Sequence, residues 1–240
     1  YEKDLIDSGK INREEKLKPD NSVSRDEKIA VIGGGPAGLT CANDLVNQGF
    51  KVTLFDANDK LGGMMRTGIP DYRLPKDYLD YEIELMINDG IEVKSGQKLG
   101  EDFSISQLKE QDYKSVFLSL GAQKAKQIPL DNTENSGLIY GIPFLKELSQ
   151  GGKPEIGSKV AVIGGGNVAL DVARSALRMG ASVTIVYRRT KEEMPAHSWE
   201  IDEAIEEGIE IKNSWSPSKV ICENGKVKGL EVEKCKTVYD

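Results

Sequence analysis

Three glycines at fixed spacing are the first residues in this chain that could do chemistry. Gly33, Gly35 and Gly38 follow the β-branched run 29–32 and open a segment with helical periodicity. In such a G-x-G-x-x-G turn, the first glycine makes the tight turn, the second admits a pyrophosphate to the backbone, and the third lets the helix pack on the strand. The free amides at the helix N-terminus then bind the anion. The pattern predicts a dinucleotide site lined by Gly33, Gly35, Pro36, Ala37 and Gly38.

An acidic residue follows the next predicted strand. Asp56 comes directly after the run 51–55, about 20 residues beyond the glycines, where a carboxylate usually accepts hydrogen bonds from the adenosine ribose. The alternative is a solvated loop acid that binds no ligand. Because strand, glycine turn and helix precede it, we predict that Asp56 binds a ribose with free hydroxyls, as in FAD or NAD.

The same arrangement recurs later in the chain. Gly164 corresponds to Gly33 at an offset of 131 (164 − 33), and the offset holds without a gap through the following helix and strand. The second fingerprint has the G-x-G-x-x-A form. Its predicted cofactor contacts are Gly164, Gly166, Asn167 and Val168. Two dinucleotide-binding units in tandem are the economical interpretation.

The two copies differ at the end of their second strand. The position of Asp56 is taken by Tyr187, which Arg188 and Arg189 follow. A carboxylate would repel a 2′-phosphate, whereas guanidinium groups bind phosphate through two parallel hydrogen bonds. The second unit therefore suits NADP. The alternative interpretation of the two arginines is an ordinary basic surface loop.

Strands that alternate with helices position these residues and predict an α/β fold with parallel sheets. We expect two tandem Rossmann-like domains, at 28–150 for FAD and 151–240 for NADP, after an N-terminal arm or linker at 1–27. A loop without regular structure is predicted at 61–75. An Asn-Gly pair at 224–225 fits a type I′ turn and predicts a β-hairpin inserted in the second domain. The predicted elements are strands at 29–32, 51–55, 91–94, 115–120 and 209–212, the hairpin arms at 219–222 and 226–235, and helices near 1–10 and at 36–47, 76–88, 105–110, 143–148 and 198–207. The run that starts at Lys159 is predicted to repeat the first strand, helix and second strand of the first domain at the offset of 131.

Composition limits the class of protein. The formal charge of −7 argues against a nucleic-acid surface, and no apolar run approaches the roughly 18 residues of a membrane span. Cys41, Cys222 and Cys235 form neither a redox pair nor a ligand set, so we expect a reducing cytoplasm, no bound metal and no disulfide-reductase chemistry. His197 is interpreted as a surface residue and not as a catalyst. The chain does not begin with Met and stops in a strand-like run, which predicts a fragment of a longer protein.

The chain resembles a known group, the FAD- and NADP-binding part of the small (beta) subunit of NADPH-dependent glutamate synthase. Relatives of that group include the middle domains of dihydropyrimidine dehydrogenase and the large subunit of bifurcating ferredoxin–NADP reductases. Segments specific to the group are the Gly-Ile-Pro-Asp-Tyr-Arg-Leu-Pro-Lys loop at 68–76 and the Glu-Met-Pro-Ala segment at 193–196. The segments 61–63, 118–122 and 187–189 also carry the resemblance, together with the two fingerprints, which many flavoproteins share. The resemblance extends from residue 28 to residue 240.

The resemblance implies FAD in the first domain and NADPH in the second. It adds Leu61, Gly62, Gly63, Arg66, Ile69, Arg73 and Gly121 to the expected cofactor contacts. It implies that hydride passes from C4 of NADPH to N5 of FAD, and that the reduced flavin passes single electrons to an iron–sulfur domain or subunit, a glutamate synthase large subunit among the candidates. An upstream cluster-binding domain and a downstream segment that completes the flavin domain are also implied, so this chain alone is expected to hold FAD weakly or not at all.

Two alternatives stay open beside that hypothesis. One is a nucleotide-binding or scaffolding fragment that does not turn over by itself. The other is a ferredoxin-reductase relative that uses NADH, in which Arg188 and Arg189 are merely exposed. The cofactor carries the reaction in this class of enzyme, so the sequence predicts no essential acid or base.

Overall fold

The computed structural model describes residues 8, 24–87, 90–125, 128, 130 and 137–236, so the predicted N-terminal helix near 1–10 lies outside the described part. The chain forms two compact units. The first comprises Tyr1–Arg66 and Asp71–Gln123, and the second comprises Thr67–Pro70 and Lys124–Asp240. The α/β class predicted from the alternating pattern is confirmed.

The first unit is a parallel four-stranded sheet in the order β3-β2-β1-β4. Helices cover both of its faces, because alternate residues of the strands point to opposite sides. On one face Val31 and Leu54 pack with the first helix, and on the other Ala30 and Ile32 pack with Leu108. The elements of this unit are β1 (Lys28–Ile32), α1 (Pro36–Asn47), β2 (Lys51–Phe55), α2 (Gly63–Thr67), α3 (Lys76–Met86), β3 (Ile91–Lys94), α4 (Ile105–Glu110) and β4 (Tyr113–Leu118).

The second unit combines a parallel three-stranded sheet, in the order β5-β6-β7, with an antiparallel hairpin. Asn224 (φ +51°) and Gly225 (φ +73°) form the hairpin turn, as an Asn-Gly pair in a type I′ turn requires. The elements of this unit are α5 (Gly141–Ser149), β5 (Lys159–Ile163), α6 (Asn167–Arg178), β6 (Ser182–Tyr187), α7 (Ser198–Glu206), β7 (Glu210–Asn213), β8 (Trp215–Glu223) and β9 (Lys226–Lys234). By packing, α5 belongs here, since Phe144 and Leu145 lie in the core of this unit.

Several predicted bounds differ from the structure by one or two residues, and three differences have a visible structural cause or change the type of element. β4 begins at Tyr113 and not at 115, because Asp112 at φ +68° turns the chain directly from α4 into the strand. β8 begins at Trp215 and not at 219, because a register shift lets Pro217 lie within the strand. The loop 61–75 was predicted to have no regular structure, but it contains the short helix α2.

The internal repeat extends further than the ungapped offset of 131 indicates. The third strands carry the similar sequences Gly-Ile-Glu-Val-Lys (90–94) and Gly-Ile-Glu-Ile-Lys (208–212), at an offset of 118 (208 − 90). In both units a threonine hydroxyl on the second strand donates to the glutamate, Thr53 to Glu92 at 2.9 Å and Thr184 to Glu210 at 3.0 Å. The two sheets therefore repeat in side-chain contacts as well as in topology.

The first strands of the two units differ in their surroundings. β1 lies between β2 and β4, and its Ala30 and Val31 are completely buried. Within the described strands, β5 pairs with β6 alone, and its Ala161 is exposed. Nearly the same five-residue sequence is thus a central strand in one unit and an edge strand in the other.

Candidate dinucleotide-binding sites

The first glycine turn is built as the fingerprint predicts. Gly33 has φ +109°, and a Cβ at this position would lie 2.3 Å from the Ser119 carbonyl oxygen. A Cβ on Gly38 would lie 1.8 Å from the Gly33 oxygen, so only glycine lets α1 approach the turn this closely. Gly35 precedes α1, with Pro36 at its first position, and the nearest atom to a Cβ built on Gly35 is 3.8 Å away. The backbone at Gly35 is therefore open to a ligand at the helix N-terminus.

Asp56 is a buried acceptor beside this turn and not a solvated loop acid. It is 5% exposed, and its Oδ2 accepts the Gly34 amide at 2.6 Å. Its Oδ1 accepts the amide and the side-chain nitrogen of Asn58 at 2.7 and 3.0 Å. A carboxylate offers about four acceptor positions, so these three donors orient it and leave one position for a ribose hydroxyl.

The segment Leu61–Gly63 folds back onto the same turn. The Gly62 amide donates to the Gly34 carbonyl at 2.8 Å, and a Cβ on Gly63 would lie 2.8 Å from the Gly35 Cα. Arg66 holds this segment, since its Nε donates to the Leu61 carbonyl and its Nη2 pairs with Asp80. The predicted contacts at Leu61, Gly62 and Gly63 thus lie at the turn, and Arg66 has a visible structural role.

Three further expected contacts lie elsewhere in the chain. Ile69 and Arg73 are half-buried in the loop that follows α2. Gly121, at φ +67°, is exposed just beyond β4. Their contact with a cofactor stays a prediction.

The second glycine turn resembles the first, but the third position of its fingerprint has room for a methyl group. Gly164 has φ +138°, and a Cβ built on it would lie 3.3 Å from the Ala169 methyl group, so alanine fits where the first unit requires glycine. Gly166 precedes α6, and the nearest atom to a Cβ at that position is Pro195 Cγ at 3.7 Å. Val168, in the first turn of α6, is 47% exposed. The N-terminus of α6 is open in the same manner as that of α1.

The end of β6 has no carboxylate. The half-buried ring of Tyr187 lies against Gly165, where a Cβ would be 2.6 Å from Cδ2 of the ring. Arg188 and Arg189 are exposed, and neither makes an ion pair within the described residues. The backbone of Arg189 is fixed all the same, because its carbonyl accepts the Ser214 amide at 2.9 Å. Two exposed guanidinium groups thus lie on a fixed backbone at the strand end.

A loop that folds back onto the second turn was not predicted. The Ala196 amide donates to the Gly165 carbonyl at 3.2 Å, the counterpart of the bond from Gly62 to Gly34. The Asn167 side-chain oxygen accepts the His197 amide at 3.3 Å. Ungapped comparison misses this pairing, because Gly62 follows Asp56 by 6 residues (62 − 56) whereas Ala196 follows Tyr187 by 9 (196 − 187). The small residues Gly62 and Ala196, each in the loop after a second strand, are the sequence feature that could have indicated this docking.

The cysteines and the histidine carry no visible redox or catalytic arrangement. Cys41, Cys222 and Cys235 form no disulfide, and burial together with the nearby Asp44 raises the pKa of the Cys41 thiol. Cys41 is half-buried in α1. His197 is exposed and stacks on Trp199, with ring centroids 6.2 Å apart. Within the described residues, no cluster of three His, Cys, Asp or Glu side chains could hold a metal ion.

Fold and turns together define an α/β protein with two tandem Rossmann-like dinucleotide-binding units. The chain belongs to the pyridine nucleotide-disulphide oxidoreductase family, which it matches over residues 27–240. This membership and the relatives below confirm the resemblance inferred from the motifs. The helices of the described residues include none of the length and apolarity that crossing a bilayer demands.

Two curated relatives and one solved structure illustrate the similarity. The chain is 40% identical over 219 residues to the beta subunit of NADP(+)-dependent formate dehydrogenase from Moorella thermoacetica, covering 90% of this chain and 31% of the relative. It is 36% identical over 219 residues to the small chain of NADPH glutamate synthase from Escherichia coli K12, covering 86% and 46%. FprA from Mycobacterium tuberculosis in complex with NADPH has the same fold, with a TM-score of 0.77 at 18% identity, covering 90% of this chain and 65% of that one. The chain thus spans a third to a half of the length of these curated relatives.

Proposed function

We propose that the protein is a flavin-dependent oxidoreductase that passes hydride from NADPH to FAD and electrons onward to an iron–sulfur partner. The contrast between the two strand ends carries this proposal. The first unit has the buried carboxylate of Asp56 beside its glycine turn, and the second has Tyr187 followed by two exposed arginines. The names of the curated relatives, an NADP(+)-dependent and an NADPH-dependent enzyme, support the same assignment.

FAD fits the first unit. The open backbone at Gly35 and the N-terminus of α1 would hold the pyrophosphate, and the remaining acceptor position of Asp56 would hold the adenosine ribose. Gly62 and Gly63 would hold the turn in place through their contacts with Gly34 and Gly35. Bound FAD would supply a two-electron acceptor that can also release its electrons one at a time.

NADPH fits the second unit. Gly166 and the N-terminus of α6 would bind the pyrophosphate, and the side chains of Arg188 and Arg189 would bind the 2′-phosphate. No side chain would have to move a proton in the hydride step, because hydride would leave one cofactor and reach the other. The transferred hydrogen would leave as a proton when the two electrons pass onward. The protein supplies orientation and electrostatics.

The proposal also includes an acceptor for the electrons that leave the flavin and a cellular compartment. An iron–sulfur domain or subunit would accept the electrons, and a glutamate synthase large subunit is one such candidate because the glutamate synthase small chain is a relative. A reducing cytoplasm would suit three cysteines that form no disulfide.

Two alternatives compete with this function. A scaffolding fragment would bind nucleotide without transferring hydride, and the partial coverage of the relatives favours it for this chain alone. An NADH-using enzyme would leave Arg188 and Arg189 without a ligand. Titration with the two nicotinamide nucleotides separates the second alternative from the proposal.

The test is a calorimetric titration of the chain with NADPH and with NADH, repeated on the double variant Arg188→Ala/Arg189→Ala. We expect the variant to bind NADPH roughly 10- to 100-fold more weakly, because charge-assisted hydrogen bonds to the phosphate are lost, and to bind NADH almost unchanged. The matched control is Lys219→Ala/Lys226→Ala, which removes the same charge from the exposed hairpin. A wild-type preference for NADPH of less than a few-fold, or an unaffected double variant, would contradict the assignment.

A further inference from the structure

The middle glycine of each turn has one close neighbour from the end of the second strand. In the first unit this neighbour is a carboxylate, since Asp56 Oδ2 lies 3.1 Å from a Cβ built on Gly34. In the second unit it is an aromatic ring, since three atoms of Tyr187 lie 2.6–2.9 Å from a Cβ built on Gly165. The two side chains occupy equivalent places at an offset of 131 (187 − 56). The ring of Tyr187 therefore lies against the middle glycine of its turn, as the carboxylate of Asp56 does in the first unit.

The hydroxyl of Tyr187 makes a second contact, with the loop that covers the turn. It donates to the Glu193 carbonyl at 2.8 Å, and the Glu193 side chain in turn accepts the amide and the hydroxyl of Thr190 at 3.1 and 3.2 Å. Three residues further on, the Ala196 amide bonds to Gly165. The loop 190–197 is thus attached to Tyr187 at its middle and to the glycine turn near its end.

We propose that Tyr187 is a specificity-determining and positioning residue of the second site, and that the ring and the hydroxyl have separate tasks. The ring stands where a carboxylate would accept a hydrogen bond from the free 2′-hydroxyl of NADH. A 2′-phosphate is itself an acceptor, so the absence of a carboxylate costs it no hydrogen bond. The hydroxyl holds the loop 190–197 on the turn. The inference rests on the proposed function in one respect, namely that the second unit binds a 2′-phosphorylated nucleotide.

With the ring of Tyr187 acting against NADH, Arg188 and Arg189 need not discriminate NADPH from NADH alone. Exposed guanidinium groups favour NADPH but leave the binding of NADH untouched. A ring without an acceptor at the place of the ribose hydroxyl acts on NADH directly, because a hydroxyl transferred from water to that place leaves its donor unpaired. Discrimination is larger when one partner is favoured and the other is disfavoured.

Two substitutions separate the tasks. Tyr187→Phe keeps the ring and removes the hydroxyl, and Tyr187→Asp introduces the carboxylate of the first unit. Tyr140→Phe is the control, because the Tyr140 hydroxyl makes no hydrogen bond within the described residues of the same unit. The fluorescence of Trp199 and Trp215, the two tryptophans of the chain, reports whether each variant is folded.

The first measurement is hydrogen exchange of the nucleotide-free chain. We expect the amides of Ala196 and His197 to exchange about fivefold faster in Tyr187→Phe than in the wild type and in Tyr140→Phe, the effect of one lost hydrogen bond. Unchanged exchange would overturn the positioning task. Because no nucleotide is present, this outcome is independent of whether the second unit binds NADPH.

The second measurement is calorimetric titration with NADPH and NADH. We expect Tyr187→Phe to keep the wild-type ratio of the two affinities within about threefold, and Tyr187→Asp to shift that ratio toward NADH by about tenfold or more. Tyr187→Glu replaces Tyr187→Asp if the latter does not fold. An unshifted ratio in a folded acidic variant would overturn the specificity task, whereas a wild type without preference for NADPH would overturn the proposed function itself.

Discussion

The third position of each fingerprint shows how much a single methyl group decides. A Cβ on Gly38 would lie 1.8 Å from the Gly33 oxygen and 2.7 Å from the Ser119 hydroxyl, inside any permitted contact. At the equivalent position of the second unit, the methyl group of Ala169 lies 3.3 Å from a Cβ built on Gly164. The first helix therefore approaches its turn more closely than the second does.

Substitution at this position tests the difference. We expect Gly38→Ala to lower the free energy of unfolding of the first unit by about 3 kcal/mol or more, since α1 must move away from the turn. The control Ala169→Gly should cost only about 1 kcal/mol of helix propensity in the second unit. Hydrogen exchange of the segment 29–47 measures the first effect and tryptophan fluorescence during denaturation the second. Exchange of Gly38→Ala at the wild-type rate would refute the steric argument.

Among the helices, α6 and α7 are joined by a cluster of ion pairs away from the glycine turn. Arg174, 7% exposed, contacts Glu203 at 2.9 Å and Glu207 at 2.6 Å, and Arg178 contacts Glu207 at 2.9 Å. Hydrogen bonds from Arg174 and then from Arg178 lower the pKa of Glu207 to about 2 from its ordinary value of 4.5. Because the folded state has the lower pKa, this stabilisation is complete above pH 4.5 and is lost as the pH falls toward 2.

The variant Glu207→Gln tests that cluster. At pH 7 we expect its free energy of unfolding to be lower by about 1–2 kcal/mol, after allowance for partial exposure of the carboxylate. The difference from the wild type should shrink as the pH is lowered from 4.5 to 3. Tryptophan fluorescence during denaturation reports on the unit that contains Glu207, because Trp199 and Trp215 both lie in the second unit. The exposed Glu206→Gln is the control, and a pH-independent difference would exclude Glu207 as the titrating group.

At the scale of the whole molecule, each of the two units contains one glycine turn. The first turn lies beside the carboxylate of Asp56, and the second lies beside Tyr187. A ligand that binds only the folded form of one unit stabilises that unit by mass action. The two sites can therefore be assigned independently of catalytic turnover.

Hydrogen exchange with two ligands makes that assignment. We expect FAD to slow exchange in the segments 33–39 and 56–63, and 2′,5′-ADP to slow it in the segments 164–170 and 187–197. Adenosine 5′-monophosphate, which lacks the 2′-phosphate, is the control and should protect the second set more weakly. A protein that stays colourless with added flavin and shows no protection of the first set would favour the scaffolding alternative.

The sequence by itself determined the parts of this protein that depend on neighbours a few residues apart. Pro36 and the glycines define the start of α1, and Asn224-Gly225 defines the hairpin turn, because steric limits on φ act within one or two residues. The bounds of β2, at Lys51–Phe55, followed from its apolar run in the same way. The repeat of the glycine turn was visible for the same reason.

Only the tertiary structure decided which distant segments meet. The docking of Gly62 and Ala196 on their turns joins residues about 30 positions apart, across loops of unequal length, so no fixed spacing reveals it. The sequence pattern left Asp56 as either a ribose ligand or a solvated loop acid, and packing against Gly34 and Asn58 buries it. From the sequence, Tyr187 indicated only the absence of an acid. The structure places its ring against Gly165, and such a contact depends on packing and not on sequence position.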